Sequence, residues 1–190
     1  LISGSGSKLL FSDNGGEYIS GDGTDLTITS GNDIVLAVGS GGSAYCAGAG
    51  GTNNTVFGLD AGDQLAANDN YNTFIGHAVA TADMTAATGN TGVGYVALTA
   101  LTEGDSNTVI GAECGVALNT GSNNTIVGFQ AGDAMTDNND NTIVGKSAFS
   151  LANSGENYNT VIGMNAGLSI DDTGADNNII IGYNAGIGGS

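Results

Sequence analysis

Histidine and cysteine are the side chains best suited to nucleophilic or acid–base chemistry, and this sequence has few of them. His77 is the only histidine, so a Ser-His-Asp or Cys-His arrangement would depend on one imidazole in a variable part of the chain. Cys46 and Cys114 form no Cys-x-x-Cys pair and no Cys/His cluster, which argues against a disulfide framework and a zinc site. We expect two free thiols and no catalytic residue.

Carboxylates are far more abundant, and many lie in polar stretches, for example Asp137, Asp140, Asp171, Asp172 and Asp176. Glycoside hydrolysis needs a pair of carboxylates, but no pair recurs from one stretch to the next. The oxygen-rich run 137–141 lacks both the Gly-Gly-x-Gly-x-Asp repeat of calcium-binding rolls and the terminal Glu of an EF-hand. We therefore expect solvated loop charge, with no metal and no cofactor.

The charge balance excludes two classes of partner. The sequence has 19 acidic residues and no arginine, and Lys8 and Lys146 are its only lysines, so the net charge is −17. Such a surface repels a nucleic-acid backbone and an anionic membrane. The absence of an 18-residue apolar run also argues against a transmembrane helix. We expect neither nucleic-acid binding nor membrane insertion.

The dominant feature of the sequence is a repeat. The motif Asn-Thr-apolar-apolar-Gly returns every 17 to 19 residues, and we number its residues as motif positions 1 to 5. Gly92 and Ile179 depart from it at positions 3 and 2. The eight copies begin at Asn54, Asn72, Asn90, Asn107, Asn124, Asn141, Asn159 and Asn178.

Two further columns accompany the motif. A small residue, usually alanine, follows each motif glycine by three positions, and Cys114 takes this place in the fourth copy. A larger apolar residue such as Leu101, Leu118 or Met135 usually follows the glycine by seven positions, and a polar stretch comes next. Each unit is therefore predicted to contain a strand, a corner, a second short strand and a loop, with the small column tightly packed and Cys114 buried.

Units of this length predict a β-solenoid. Three or four β-forming residues between Asn and Gly are too few for a helix, and both flanking residues tolerate positive φ. Stacked turns pair their backbone groups with the turns above and below and build one continuous core. Stacking also aligns the asparagines in a column, where their amides can bond along the axis. We predict an all-β parallel solenoid of eight turns.

The two adjacent apolar positions imply an oligomer. Successive strand residues point to opposite faces, so Val109 and Ile110 cannot both face the interior. One apolar column therefore stays outside, where the same column of sister chains would cover it.

The repeat resembles known fibrous proteins. The unit Asn-Thr-apolar-Ile-Gly-x-x-Ala-Gly, clearest at 107–115, 124–132 and 159–167, is similar to the head repeat of YadA-like trimeric autotransporter adhesins and more so to bacteriophage tail-fibre shafts. The resemblance covers about residues 54–186. It implies a left-handed β-roll that forms a homotrimer about a threefold axis. It also implies that position 3 lies at the trimer interface and position 4 inside the roll. The interface residues would be Val56, Phe74, Val109, Ile126, Ile143, Val161 and Ile180.

Three segments are expected along the chain. Residues 1–38 form a short N-terminal β-module, because Leu26, Ile28, Ile34 and Leu36 alternate between Gly turns and the segment is similar to modules that precede fibre repeats. Residues 39–53 form a Gly/Ala-rich junction, and residues 54–190 form the solenoid.

The residue after each motif glycine is variable and often aromatic. It could form an outer row that contacts a sugar or receptor, or only cover the outer wall. This row includes His77, Tyr95, Phe129, Lys146 and Tyr183. Ice binding, which flat threonine ladders favour, is disfavoured because position 2 threonines share a face with position 4 and are expected inside.

These observations predict a non-enzymatic structural and adhesive segment of a trimeric viral tail fibre, located in the virion. It would attach to a host-surface glycan or receptor and join other tail proteins. Two alternatives stay open. The first is a bacterial trimeric adhesin head at the extracellular cell surface, and the second is a tailspike that degrades polysaccharide.

Overall fold

The structure, a computed structural model, describes residues 51–170 and 174–187, together with the backbone of two short strands near the N-terminus. Two units are distinguished, residues 1–44 and 45–190. In the first unit, β1 (Tyr18–Ser20) pairs antiparallel with β2 (Thr27–Thr29). The strand residues predicted at 26, 34 and 36, most of the junction and Cys46 lie outside the described residues.

The second unit is a parallel β-solenoid, as the repeat predicts. Eight three-residue strands form one sheet in sequence order, and each position 2 residue pairs with position 2 of the next strand. Eight strands enclose seven turns between them, so the predicted eight turns are one too many. The strands are β3 (Thr55–Phe57), β4 (Thr73–Ile75), β5 (Thr91–Val93), β6 (Thr108–Ile110), β7 (Thr125–Val127), β8 (Thr142–Val144), β9 (Thr160–Ile162) and β10 (Ile179–Ile181).

The remainder of each coil is a series of turns. No second strand per coil occurs in the described part of the chain, contrary to the prediction. Left-handed residues make the corners instead. Ser106, before the motif Asn, has φ 58°, and Glu113, two residues after the motif Gly, has φ 53°. Such residues reverse the chain direction within a few positions, which leaves no room for a second extended segment.

The core runs the length of the solenoid. Position 3 fills its centre, with Phe74, Val109 and Ile126 fully buried. The predicted small column is buried from Ala61 to Ala166, and Cys114 lies within it. Leu101, Leu118 and Met135 belong to the same buried core. No helix in the described residues has the length and apolar character needed to span a membrane.

The predicted direction of the two apolar columns is wrong. The position 3 residues assigned to a trimer interface lie inside the solenoid, and position 4 lies outside. The reassigned residues are Val56, Phe74, Val109, Ile126, Ile143, Val161 and Ile180, of which the two at the ends are partly buried and the other five have no exposed surface.

Side-chain parity explains the reversal. Residues two apart on a strand share a face, so position 3 must point the same way as the asparagine at position 1. That asparagine is buried because its amide binds a loop carbonyl inside the coil, as when Asn107 Nδ2 donates to Gly121 O at 2.8 Å. Positions 2 and 4 then point outward together, so the threonines predicted to face inward are partly or fully exposed.

The motif glycine is required by both its backbone angle and its neighbours. Gly128 has φ 144°, which side-chain-bearing residues rarely adopt. A Cβ at this residue would lie 2.4 Å from the carbonyl oxygen of Gly145 in the next coil. Adjacent coils can approach this closely only because both have glycine at motif position 5.

We predict that Gly128→Ala destabilises the solenoid by more than about 2 kcal/mol, because strain and a backbone clash act together. Gly155→Ala is the matched control: Gly155 also has positive φ, but nothing lies within 4 Å of an added Cβ. It should lose only about 1–2 kcal/mol from strain. Urea denaturation followed by circular dichroism measures the free energy of unfolding of both variants. Equal losses of stability would contradict the clash.

Candidate functional site

A ladder of buried asparagines holds the coils in register. The side-chain oxygen of each position 1 asparagine accepts the backbone N–H of the next one, for example Asn107 N to Asn90 Oδ1 at 2.9 Å and Asn124 N to Asn107 Oδ1 at 3.0 Å. The backbone carbonyl of the asparagine accepts the N–H of the position 2 threonine in the preceding coil, as with Thr108 N to Asn124 O at 2.8 Å. The ladder predicted along the axis is confirmed, and it satisfies backbone groups that the three-residue strands leave over.

A second polar ladder runs two residues before the first. Asp105 N donates to Ser122 Oγ, Ser122 N donates to Asn139 Oδ1, and Asn139 N donates to Asn157 Oδ1, at 2.7–2.9 Å. Asn157 N then donates to Asp176 Oδ1 at 2.6 Å. Many of the polar loop residues are therefore structural, because their side chains complete hydrogen bonds between coils.

The outer face of the parallel sheet is the most distinctive surface. We call it the strand face, formed by positions 2 and 4 of β3–β10. Position 2 is threonine in seven strands, and position 4 is always Val, Ile or Phe. Ile110 is 40% exposed and Val144 is 36% exposed. No strand-face residue is charged, although the whole chain carries −17.

The predicted outer row lies beyond the corner that follows the strand face. Tyr95, Phe129 and Tyr183 are exposed in the single chain, as are His77 and Lys146. The His77 and Tyr95 rings stack with centroids 5.5 Å apart, and Lys146 Nζ lies 5.8 Å from the Phe129 ring centre. Side chains from adjacent coils thus contact each other along this row and leave rings accessible to solvent.

The structure also brings two carboxylates together in a pocket of about 360 Å³ lined by Tyr95, Val96, Glu113, Val116 and Asp133. Burial raises the pKa of the Asp133 carboxyl, and the nearby Glu113 charge adds to this. Gln130 Nε2 donates to Glu113 Oε2 at 2.7 Å. The repeat pattern does not indicate this pair, because Glu113 and Asp133 occupy different columns of adjacent coils.

The acidic residues that the sequence analysis singled out have separate contacts where the structure describes them. Asp137 accepts the Gly155 N–H, Asp176 belongs to the second ladder, and Asp171 and Asp172 lie outside the described residues. No group of three His, Cys, Asp or Glu residues within the described ranges could hold a metal ion. No protein-family model, curated protein or solved structure matches this chain, so we infer its function from these surfaces.

Cys114 lies in the small column of the core. Its thiol has no exposed surface and donates to the Ile126 carbonyl at 3.6 Å. Burial raises the pKa of the Cys114 thiol from 9.0 to about 12. The reactive thiolate is therefore scarce at neutral pH, and reagents have no direct access to the sulfur.

We predict that Cys114 reacts at least about 100-fold more slowly with an aromatic disulfide reagent in the native protein than in denaturant, because the pKa shift depletes the thiolate and burial blocks access. A Cys46→Ser variant leaves Cys114 as the only thiol. Absorbance of the aromatic thiol released from the reagent gives the reaction rates in the native protein and in denaturant. Comparable rates would show that the small column is open to solvent.

Proposed function

We propose that this chain is a structural and adhesive segment of a trimeric fibre, most simply a viral tail fibre in the virion. The observation that carries the proposal is the strand face, an uncharged stripe of threonine and apolar side chains along β3–β10. Long exposed apolar stripes are uncommon on monomeric proteins and mark association surfaces.

The distribution of charge favours a second copy of the same chain as the partner. Two chains of charge −17 repel each other, so a stable contact must exclude their acidic residues. The strand face is such a surface. Threefold packing through positions 2 and 4 would cover Ile110, Val144 and Ile162 and keep the acidic loops in water. This assigns the interface to position 4 in place of position 3.

Resemblance of the repeat to phage fibre shafts and adhesin heads supports the same assembly. The resemblance also implies that the roll is left-handed. A bacterial adhesin head would use the same trimer, and the genes beside this one would separate the two: tail genes indicate a virion, and a membrane-anchor segment indicates a cell surface.

Attachment would use the outer row, which lies outside the proposed interface. Aromatic rings that are partly exposed and held by their neighbours suit contacts with sugars or receptor side chains. Tyr95 is held by the His77 ring, and Phe129 by the Lys146 side chain. The row would then be repeated on all three sides of the fibre.

We predict that the chain sediments at three times its 18.6 kDa mass and that Ile110→Asp with Val144→Asp reduces it to one chain mass. Like charges buried together about the axis, without partners, prevent association. Both side chains are partly exposed in the single chain, so its circular dichroism should change little. Equilibrium sedimentation measures the mass.

Two controls make the test specific. Leu151→Asp changes an apolar side chain that is 52% exposed but lies outside the strand face, and it should remain trimeric. Ile126→Asp changes the core and should unfold the coils rather than separate the chains. A monomeric unmodified chain, or a trimeric Ile110/Val144 variant, would overturn the proposed interface.

Ice binding is a second candidate, favoured by one observation that reverses the sequence prediction: the threonines face outward. Rows of hydroxyl and methyl groups repeated at the strand spacing of about 4.8 Å can hold water in a regular array. This function needs the same face to be free, so it requires a monomer.

Oligomeric state and ice activity together distinguish the two candidates. A trimer should not inhibit ice recrystallisation, because its strand faces are covered. A monomer that inhibits recrystallisation, and loses this activity on Thr125→Lys with Thr142→Lys, would replace the fibre proposal. The substituted residues are exposed, so the fold should persist.

A further inference from the structure

The pocket beside the outer row has the dimensions of a small-molecule site. Its volume is about 360 Å³, at the lower end of the roughly 300–1,000 Å³ typical of such sites. Its residues follow the motif glycine of their own coil by one, two or five positions, so none belongs to the strand face. They are Tyr95, Val96, Glu113, Val116 and Asp133. The proposed packing through the strand face therefore does not use this pocket.

The aromatic wall of the pocket is held by a neighbouring coil. The Tyr95 ring stacks on the His77 ring of the preceding coil, with an angle of 10° between the ring planes. Tyr95 is nevertheless 53% exposed, so it keeps surface for a ligand. Val96 and Val116 add apolar surface to the same pocket. Aromatic and apolar walls of this kind suit the carbon-rich face of a sugar ring.

Two carboxylates supply the polar wall. Glu113 Oε2 accepts a hydrogen bond from Gln130 Nε2 at 2.7 Å, which orients the Glu113 side chain. Asp133 Oδ1 is buried and has no hydrogen-bond partner among the described residues. In the described ranges, the one contact between a carboxylate and a basic side chain joins Asp60 and His77. No described cation therefore compensates the charges of Glu113 and Asp133.

This wall favours a ligand with a positive charge. An ammonium group can donate charge-assisted hydrogen bonds to both carboxylates and is also attracted to the face of the Tyr95 ring. An anionic ligand is repelled by the pocket and by the net charge of −17. A divalent metal ion needs more oxygen ligands, and the described residues contain no group of three His, Cys, Asp or Glu that could hold one.

We propose that the pocket binds the protonated amine of an amino sugar, with the ammonium group at Glu113 and Asp133 and the sugar ring against Tyr95. This inference rests on the proposed attachment through the outer row, and it narrows the ligand to a positively charged glycan. Three adjacent coils of one chain form the pocket, so the site does not depend on the trimer.

Calorimetric titration of the full chain with two matched trisaccharides tests the charge requirement. The first is β-1,4-linked glucosamine with free amines, and the second is the same trisaccharide with every amine acetylated. At about pH 6, below the usual pKa of an amine, we expect the free-amine sugar to bind one site per chain. The acetylated sugar should bind at least about tenfold more weakly, because it brings no charge to the carboxylates.

Substitutions that keep the shape of the pocket test its residues. Asp133→Asn and Glu113→Gln each remove one charge and should weaken binding of the free-amine sugar at least about tenfold. Tyr95→Leu removes the aromatic face and should weaken it at least about threefold. Asp140→Asn is the matched control, since Asp140 is an exposed carboxylate that does not line the pocket, and Asn123 occupies the same column. Its affinity should equal that of the unmodified chain.

Urea denaturation gives a second readout for Asp133. Burial, and after it the charge of Glu113, raises the pKa of the Asp133 carboxyl, so the folded protein disfavours its ionised form. Asp133→Asn removes that charge and should not lower the free energy of unfolding at neutral pH. A structural residue would instead lose stability together with binding, and that result would overturn the proposal.

Three further results would overturn it: equal binding of the two sugars, no binding of the free-amine sugar to the unmodified chain, or equal affinities of the Asp133 and Asp140 variants. Sedimentation of the same samples separates these results from the fibre proposal. A trimer that does not bind the amino sugar contradicts only the pocket assignment. A monomer that binds it contradicts only the fibre assembly.

Discussion

The structure depends on the hydrogen bonds of one buried asparagine per coil. Its side chain binds the loop of its own coil and the backbone of the neighbouring coil, as Asn107 does with Gly121 O and Asn124 N. Strands of three residues form too few ladder bonds to fix the register by themselves. The asparagine supplies the missing bonds and fixes the face of position 3, because residues two apart on a strand point the same way.

Close stacking follows from this ladder and restricts the rest of the coil. The motif glycine allows adjacent backbones to meet, and left-handed residues before and after the strand turn the chain within a few positions. The small column provides space for position 3 side chains, and Cys114 is accepted there as a small apolar residue. Variation is therefore confined to outward columns, where it does not affect the hydrogen bonds between coils.

Those outward columns give the solenoid separate surfaces. The strand face is uniform and uncharged, which suits association with identical chains or with a regular array of water. The outer row changes from coil to coil, which suits recognition. Because each coil contacts mainly its neighbours, substitutions on one surface leave the others largely intact.

The sequence by itself determined the repeat, the parallel β-solenoid and the buried small column, because the spacing of Asn, Gly and Ala follows from the stacking. It also showed that Val109 and Ile110 face opposite sides, since strand residues alternate. Only the tertiary structure decided which of them lies inside, because that depends on the bond from Asn107 to a carbonyl across the coil. Contacts between coils, such as the pocket of Glu113 and Asp133, were likewise beyond the sequence, since the path of the corners decides which columns meet.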